Sequence, residues 1–418
     1  MTIHTKKWIL LIIIVAFSFR ILCMFALQSW QFENNRAFAY EAGEIGSAIA
    51  SGLGFYWPEN STYNFGKPPE PTSWEAPIYP LIIGGVFKVF GTFSSVSAVV
   101  LMVLQTLTSA INCVLLFLIG RRIFNEGVGL LAVLIFTFYP SDIHFSVMKI
   151  GSTNLYVTLI ILFILQLFDL ADTPNIKKGI FAGFSFGLAL LIFPAVISFL
   201  PFALGWLFLR GQAERKMLMI NVALLFLAVC VTILPWQIRN YSVFGRFIFI
   251  KSNLSRELFI GNYGSKEIIA LEHQTNITLD EGQRTKLYTK KTMDSILNNP
   301  LRLVRRTYKR FVRFWTVTPR KGGPRSKISG IKDQVAGIPY LIVLILGIAG
   351  LFLSKLKAKE VQLLVMAILS LPIPFYLTWF TRFRYRFPVE IIMIVFASYA
   401  LFRFMMLFKA KRHIVTLN

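Results

Sequence analysis

The chain has 418 residues, of which 55% are hydrophobic and only 15% charged, and its mean hydropathy is +0.62. So few charged side chains cannot cover so much apolar surface, which excludes an ordinary water-soluble globule and predicts a chain folded in lipid. The net charge of +24 would favour nucleic acid as a partner of a soluble protein. Here the basic residues cluster at the ends of apolar runs, so membrane lipids with anionic headgroups are the expected partners and nucleic acid is not.

Apolar runs predict about ten transmembrane helices, because the hydrocarbon core is about 30 Å thick and needs roughly 17 to 25 helical residues. The first run is interpreted as a retained helix, since no small-residue cleavage site follows it. A further run, Ile78–Phe90, is too short to span and predicts an interfacial or re-entrant helix. The fold class is therefore an all-α polytopic membrane protein. The predicted spans are residues 8–27, 94–120, 127–142, 153–170, 179–193, 195–209, 217–236, 337–353, 361–379 and 388–408.

Two long polar stretches divide the chain into three predicted regions. Residues 1–236 form an amino-terminal transmembrane core that includes an acidic first loop, residues 28–93. Residues 237–335 form a basic second loop, and residues 336–418 form the last transmembrane helices. Within the second loop, residues 299–318 alternate aromatic or aliphatic with basic side chains. This pattern predicts an amphipathic helix on anionic lipid, with direct substrate contact as the alternative.

Basic residues fix the predicted orientation, because cytoplasmic turns of membrane proteins are enriched in lysine and arginine. With both termini in the cytoplasm, every predicted inside turn is basic and both long loops lie on the outer face. Arg20 and Asp169, near span ends, are exceptions to the gathering of ionisable residues at one face, and snorkelling towards the surface would explain them. The basic inside positions include Lys6, Lys7, Arg121, Arg122, Lys177, Lys178, Arg215, Lys216, Lys355, Lys357, Lys359, Lys409, Lys411 and Arg412.

Three carboxylates of the first loop are candidates for chemistry. Glu41 and Glu44 occur in AYEAGEIGSAIASGLGF, residues 39–55, where a spacing of three places both on one helix face. Such a carboxylate is suited to act as a general base, although the residues alone favour the alternative that it solvates or caps the helix. Glu75 lies in PTSWEAPIYP, residues 71–80, beside Tyr79, an aromatic residue suited to the membrane interface.

Basic residues on the same predicted face are candidates for binding phosphate. Lys149 follows an outer turn, with snorkelling as its alternative role, and Arg239 ends a span at headgroup level. Arg382, Arg384 and Arg386 in TRFRYRFPVE contradict the usual inside bias of arginine. If this segment is extended, alternate residues point the same way and the three arginines line one wall. Arginine forks match phosphate oxygens, while simple anchoring to headgroups is the alternative.

Five motifs together resemble one family: YExGxIxxxIAxGxGF, PTxWxAPxYP, PWxxRNYxxFG, SNxxxELxxGN and RFRYRFPVE. They are similar to bacterial membrane glycosyltransferases of the GT-C superfamily. More narrowly, they look like the glycosyltransferase family 39-like group related to the protein O-mannosyltransferases and to the aminoarabinose transferase of lipid A. The resemblance implies a GT-C-like fold. It also implies inverting transfer of a sugar from a polyprenyl-phosphate donor to a lipid, glycan or protein hydroxyl on the outer face of the cytoplasmic, or inner, membrane.

The resemblance also implies roles for individual residues. Glu41 matches the catalytic base, with Glu44 a less favoured substitute, and Glu75 matches an acidic position before the proline pair. Ala76 stands where some relatives use a lysine for phosphate, which shifts that role to the arginines of the last motif. Where many relatives have an acidic residue in a second outer loop that helps bind a divalent ion, this chain has Ser152, Thr153 and Asn154. We therefore expect no cofactor and no obligatory metal, with a divalent ion as the alternative.

Two other functions remain open at this point. An O-antigen polymerase or ligase is also a polytopic cell-envelope enzyme with a large arginine-bearing outer loop, but it has no evident need for the acidic first loop. A lipid-linked sugar flippase or transporter would be expected to show internal pseudo-symmetry, with binding groups near the membrane midplane. The ionisable residues of this chain instead gather at one face, which favours the transferase.

Overall fold

The computed structural model describes residues 3–31, 38–59, 61, 68–210, 215–263, 271, 279–316, 327–378 and 383–415. Helices dominate these residues, apart from one two-stranded antiparallel sheet in which β1 (Tyr56–Trp57) pairs with β2 (Glu70–Pro71). The α-helices are α1 (Ile3–Ala26), α2 (Glu41–Ala50), α3 (Ile78–Phe90), α4 (Ser95–Ile123), α5 (Glu126–Thr137), α6 (Pro140–Ile143), α7 (Thr153–Asp172), α8 (Ile176–Leu190), α9 (Leu200–Arg210), α10 (Arg215–Phe244), α11 (Asn253–Asn262), α12 (Glu281–Asn298), α13 (Pro300–Trp315), α14 (Lys327–Leu353), α15 (Lys359–Ser370), α16 (Ile373–Leu377) and α17 (Phe383–Val415).

The fold class is that of a polytopic helical membrane protein, as the hydropathy predicted. Six helical segments in the described residues are long and apolar enough to span a membrane. A seventh span results if α5 and the adjoining segment Pro140–Met148, bent by 54°, count as one. The predicted number of about ten is not confirmed. Helix α8 shows why: it has 15 residues, or about 22 Å of helix, which is shorter than the hydrocarbon core.

The apolar surface is distributed as a membrane requires. Many large aliphatic side chains are exposed on the helices themselves, among them Leu10, Ile14 and Leu22 of α1. Lipid is the solvent that suits such a surface. The central core is built from buried side chains of α4, α5, α7, α8 and α17. Helices therefore pack with apolar residues on both their inner and outer faces.

Glycines bring α2 and α3 together in the first loop. A Cβ atom added at Gly46 of α2 would lie 2.6 Å from Ile83, and one added at Gly84 of α3 would lie 2.6 Å from Ile49. Only glycine permits this approach of the two backbones. Helix α3 forms over the run from which a short helix was predicted. This packing fixes α2, and with it Glu41, against a rigid partner.

A buried ion pair links α1 to the segment after α5. The Arg20 guanidinium contacts Asp142 Oδ2 through Nε at 2.7 Å and Nη2 at 2.6 Å, and both side chains are at most 1% exposed. Arg20 also donates to the carbonyls of Ala16 and Phe136, and Ser109 donates to the same carboxylate oxygen. The expectation that Arg20 snorkels is wrong, because Asp142 supplies its counter-charge inside the protein.

Helix α7 connects two polar ends of the bundle. At its last turns Asp169 accepts from Arg122 at 2.6 Å, and Asp172 contacts both Arg122 and Lys359. Asp169 therefore pairs with arginine rather than merely snorkelling. At its first turns the Tyr156 hydroxyl donates to the Arg384 carbonyl at 3.0 Å. Because α7 has 20 residues, these ends lie about 30 Å apart.

Candidate active site

Hydrogen bonds join the second loop to residues 70–76 of the first loop. Arg239 at the end of α10 donates to the Thr72 carbonyl at 2.6 Å and to the Phe55 carbonyl at 2.8 Å. Glu281 at the start of α12 accepts from the Thr72 hydroxyl at 2.6 Å and from the Ser73 amide at 2.8 Å. Polar groups of Thr72 and Ser73 thus find their hydrogen-bond partners in the second loop. These bonds hold the segment that carries Glu75 in place.

A capping box sets the position of Glu281. Asp280 accepts from the Gln283 amide, and the Gln283 side chain accepts from the Asp280 amide. This reciprocal arrangement starts α12 at Glu281. Arg239 has a structural part in joining the loops, because two of its guanidinium nitrogens donate hydrogen bonds to backbone carbonyls.

Two carboxylates and two cations converge beside this junction. Lys251 Nζ lies 2.8 Å from Glu75 Oε2, and these side chains are 17% and 24% exposed. Glu41 is the first residue of α2. Burial raises the pKa of Glu41 and the nearby Glu75 carboxylate raises it further, while Lys251 and Arg384 act in the opposite direction. The four groups are therefore close enough to interact electrostatically.

The backbone is strained immediately before Glu41. Ala39 and Tyr40 have φ angles of 66° and 55°, in the left-handed region that residues with a Cβ atom seldom adopt. Lys149 Nζ lies 5.4 Å from the centre of the Tyr40 ring, within range of a cation–π interaction. Strain at this point indicates that the surrounding structure holds the start of α2, and Glu41 with it, in a defined position.

The predicted arginine cluster separates into different environments. Arg384 donates from Nη2 to the Tyr385 hydroxyl at 2.7 Å, and its Nε is buried with no hydrogen-bond partner among the described residues. Arg386 instead donates to Glu390 at 2.6 Å and lies 3.3 Å from the centre of the Tyr340 ring. It also donates to the carbonyls of Phe314 and Thr316. Arg386 thereby ties the end of α13 to α17.

The expectation of an extended wall of arginines is wrong for this segment. Helix α17 begins at Phe383, and two residues along an α-helix rotate the side chain by about 200°. Arg384 and Arg386 therefore point in different directions. Arg382 lies outside the described residues. Of the described arginines in this motif, Arg384 is the one near Glu41 and Glu75.

Two other predicted residues, Glu44 and Tyr79, have hydrogen-bond partners of their own. The Glu44 carboxylate accepts a hydrogen bond from the Ser61 hydroxyl. Tyr79 is buried, and its hydroxyl donates to Gln105 at 2.9 Å. The Gln105 amide in turn donates to the Lys149 carbonyl at 2.9 Å. Tyr79 and Gln105 thus support the segment that carries Lys149.

Lys251 was missed as a functional residue by the sequence interpretation. It directly precedes the SNxxxELxxGN motif, and its partner Glu75 is 176 residues away. The sequence did offer one clue to Lys251. The first loop has Ala76 where the resemblance implies a lysine, so a lysine of the other long loop could take that place. No periodicity pairs two loops so far apart, so the contact appears only in three dimensions.

The carboxylates do not assemble into an evident metal site. Within the ranges that the structure describes, no group of three or more His, Cys, Asp or Glu side chains is placed to hold a metal ion. Asp142, which precedes residues 152–154 in the chain, is paired with Arg20. Metal-independent transfer stays a prediction.

Comparison with known proteins finds a family model that matches part of the chain and solved structures that share its fold. Residues 74–236 match the family described as dolichyl-phosphate-mannose-protein mannosyltransferase, over less than half of the chain. No curated protein sequence matches significantly. The apo oligosaccharyltransferase of Archaeoglobus fulgidus matches with a TM-score of 0.60 and 17% identity, over 98% of this chain and 52% of that one. The same enzyme with an inhibitory peptide and a dolichol-phosphate matches with a TM-score of 0.57 and 14% identity, over 99% and 52%.

A third match is weaker. ArnT from Cupriavidus metallidurans bound to undecaprenyl phosphate gives a TM-score of 0.42 and 10% identity, over 94% of this chain and 78% of that one. The chain spans about half the length of the oligosaccharyltransferase structures that it matches. The resemblance indicated by the five motifs is thus confirmed: the chain is an integral membrane protein with the fold of the GT-C superfamily of glycosyltransferases.

Proposed function

We propose that the protein transfers a sugar from a polyprenyl-phosphate-sugar donor to a hydroxyl of a lipid, glycan or protein acceptor. The observation that carries the proposal is the convergence of Glu41, Glu75, Lys251 and Arg384 at one end of the bundle. A general base and two cations for a phosphate are the groups such a transfer needs. The dolichol-phosphate in the structure of the archaeal oligosaccharyltransferase supports a donor of this chemical class.

In the proposed reaction, proton transfer to Glu41 accompanies the attack of the acceptor on the sugar. The ionised Glu41 carboxylate takes the proton of the acceptor hydroxyl as the acceptor oxygen attacks C1 of the sugar. The bond between C1 and the phosphate oxygen breaks, and its electron pair leaves with the polyprenyl phosphate. Attack opposite the leaving group inverts the configuration at C1. The raised pKa of Glu41 suits this role, because it brings the carboxylate nearer to the range in which a base is most effective.

Cations stabilise the leaving phosphate in this mechanism. Arg384 has a buried Nε that is not used within the described part of the chain, and it offers a fork matched to phosphate oxygens. Lys251, held by Glu75 at 2.8 Å, supplies a second positive charge near the developing anion. We assign Lys149, beside Tyr40, to the edge of the donor site. Arg239, Tyr79 and Arg386 act in this proposal by holding the loops.

The proposed site lies on the outer face of the cytoplasmic membrane, with both termini inside. Support comes from the charge distribution: Arg122 and Lys359, which the positive-inside pattern places in the cytoplasm, meet at the end of α7 remote from Glu41. Lysine accessibility to an impermeant reagent in intact cells reads this orientation directly. Labelling of Lys251 but not Lys359 is expected, and the reverse would overturn the assignment.

The transferase proposal is tested with purified protein, radiolabelled polyprenyl-phosphate sugars and candidate acceptors. Glu41→Gln removes the base while keeping the shape of the side chain, so transfer is expected to fall by about 100-fold or more, with donor binding retained. Glu44→Gln is the matched control, three residues along the same helix, and should retain activity within a few-fold. Full activity of Glu41→Gln would remove Glu41 from the mechanism. Wild-type silence with all donors would instead favour the polymerase or transporter.

A further inference from the structure

Helix α13 has three chemically different faces, and one of them is a basic groove that the proposed transfer does not use. At 100° per residue, Arg306, Arg310 and Phe314 lie on one side of the helix, which is the side packed against the protein. An apolar stripe lies on a second side and basic residues on a third. A helix that is amphipathic in this way lies in a membrane interface rather than across the membrane.

The inward face is held by arginine contacts to carbonyl groups. Arg306 donates to the carbonyls of Gly261 and Asn262 at the end of α11, and Arg310 donates to those of Gly261 and Leu377. Carbonyls at helix ends lack intrahelical partners and attract cations. The rotation of α13 about its axis is therefore fixed by the protein.

The apolar face is exposed and points away from these contacts. Leu301, Val304 and Tyr308 are 67%, 62% and 67% exposed, and Phe311 and Val312 continue the stripe. Spacings of three and four residues place them side by side on the helix. An apolar stripe of this kind is expected to enter the acyl chains just beneath the lipid headgroups.

Between these two faces lies a groove of about 410 Å³, lined by Asn299, Leu301, Arg302, Arg305, Arg306 and Lys309. Four of the six lining residues are basic and none is acidic. Arg302, Arg305 and Lys309 are exposed, and none of these three has an ion pair within the described residues. Burial, followed by Arg306 and Arg313, lowers the pKa of nearby Arg310 to about 10. That residue stays charged at neutral pH and adds to the positive potential.

We propose that this groove binds the phosphate of an anionic phospholipid headgroup. The basic side chains supply charge complementarity for a phosphate. The adjoining Leu301, Val304 and Tyr308 place the groove at headgroup depth, with acyl chains available to the apolar stripe. A soluble anion would gain nothing from that stripe, which is why the lipid is the favoured source of the phosphate. Binding here fastens α13, and through Arg306 it fastens the end of α11 as well.

The test measures binding of fluorescent phosphatidylglycerol and phosphatidylcholine to the full chain in detergent. Two exposed basic residues of the groove are removed in Arg302→Gln/Lys309→Gln, and the matched control is Lys286→Gln/Lys290→Gln on the neighbouring helix α12, which loses the same charge. At about 1 kcal/mol for each basic residue near lipid, phosphatidylglycerol affinity should fall about 30-fold in the groove variant. The control should stay within about two-fold of wild type.

Several outcomes would overturn the proposal. Equal losses in both variants would show a general charge effect, and equal wild-type affinity for the two lipids would show that the phosphatidylglycerol headgroup is not selected. Competition by millimolar inorganic phosphate would make the groove a site for a free anion. The replaced residues are exposed, so both variants should unfold at the wild-type temperature. These readings need no transferase activity, so they remain informative if the proposed function fails.

Discussion

Two clusters of charge in this protein, one buried and one half-buried, differ in which atoms lack a hydrogen-bond partner among the described residues. In the cluster of Arg20 and Asp142, every guanidinium nitrogen of the arginine has an acceptor, and Ser109 donates to the carboxylate as well. Among the described residues, the buried side-chain atom left without a partner there is an acceptor, Asp142 Oδ1. In the cluster at Glu41, the buried atom that lacks a partner within the same described ranges is a donor, Arg384 Nε.

This difference distinguishes a structural ion pair, Arg20 with Asp142, from the candidate active site at Glu41. A closed pair of one arginine and one carboxylate holds α1 against the chain that follows α5, and no cationic nitrogen is left for an anion. At the other cluster, Glu41 and Glu75 lie near Lys251 and Arg384, and burial raises the pKa of Glu41. Carboxylates close together with a buried donor that is unpaired in the described part of the chain are the arrangement on which the proposed site for an anionic phosphate rests. The predictions below test that contrast, beginning with the closed pair.

The largest effect is expected from breaking the closed pair. Arg20→Met leaves the buried Asp142 carboxylate without its counter-charge, and removing one partner of a buried ion pair typically destabilises a protein by about 3–5 kcal/mol. Thermal unfolding of the purified protein in detergent measures this. The double variant Arg20→Met/Asp142→Leu removes both charges and should recover most of the loss. A single variant as stable as wild type would show that the pair contributes little.

The sequence predicted the elements better than the contacts between them. Hydropathy predicted the short helix over Ile78–Phe90, because a run of apolar residues between prolines and a glycine is a local signal. Snorkelling was the explanation offered for Arg20, because the sequence shows that this residue is near a span end but does not show that its partner is Asp142. Charges 122 residues apart pair only once α1 and α6 have packed together.

The same distinction applies to the candidate site. Glu41 and Glu75 were singled out through motifs, and the structure places both near Arg384; their roles stay predictions. Lys251 was overlooked because its role depends on the contact between two loops. The arginine motif misled in a different way. The arginines were expected to line one wall if the segment is extended. Instead α17 already begins at Phe383, and the helical turn separates Arg384 from Arg386.

A smaller, selective effect is expected from that separation of the arginines. Arg384→Gln removes a donor from the developing phosphate charge, so transfer should fall by about 100-fold while the unfolding temperature stays near wild type. Arg386→Gln should instead mainly destabilise the fold, because the almost fully buried Glu390 loses its counter-charge and keeps only the hydrogen bond from Tyr139. Activity per folded molecule and unfolding temperature, measured on both variants, distinguish the two roles. Equal behaviour of the variants would contradict the assignment of Arg384 to the site.

The smallest effect concerns the pH dependence of transfer. As a general base Glu41 must be ionised, so the rate rises as pH increases through its pKa. Lys251 lowers that pKa, so in Lys251→Met the pKa of Glu41 should rise and the acid limb of the kcat/KM profile should move to higher pH. Lys290→Gln, which removes a lysine remote from the cluster, should leave the limb in place. A limb that stays fixed in Lys251→Met, or moves to lower pH, would show that Glu41 is not the group whose ionisation limits transfer. An upward shift would tie the lysine of the second loop to the carboxylate of the first, because a purely structural loss would reduce the rate without moving the limb.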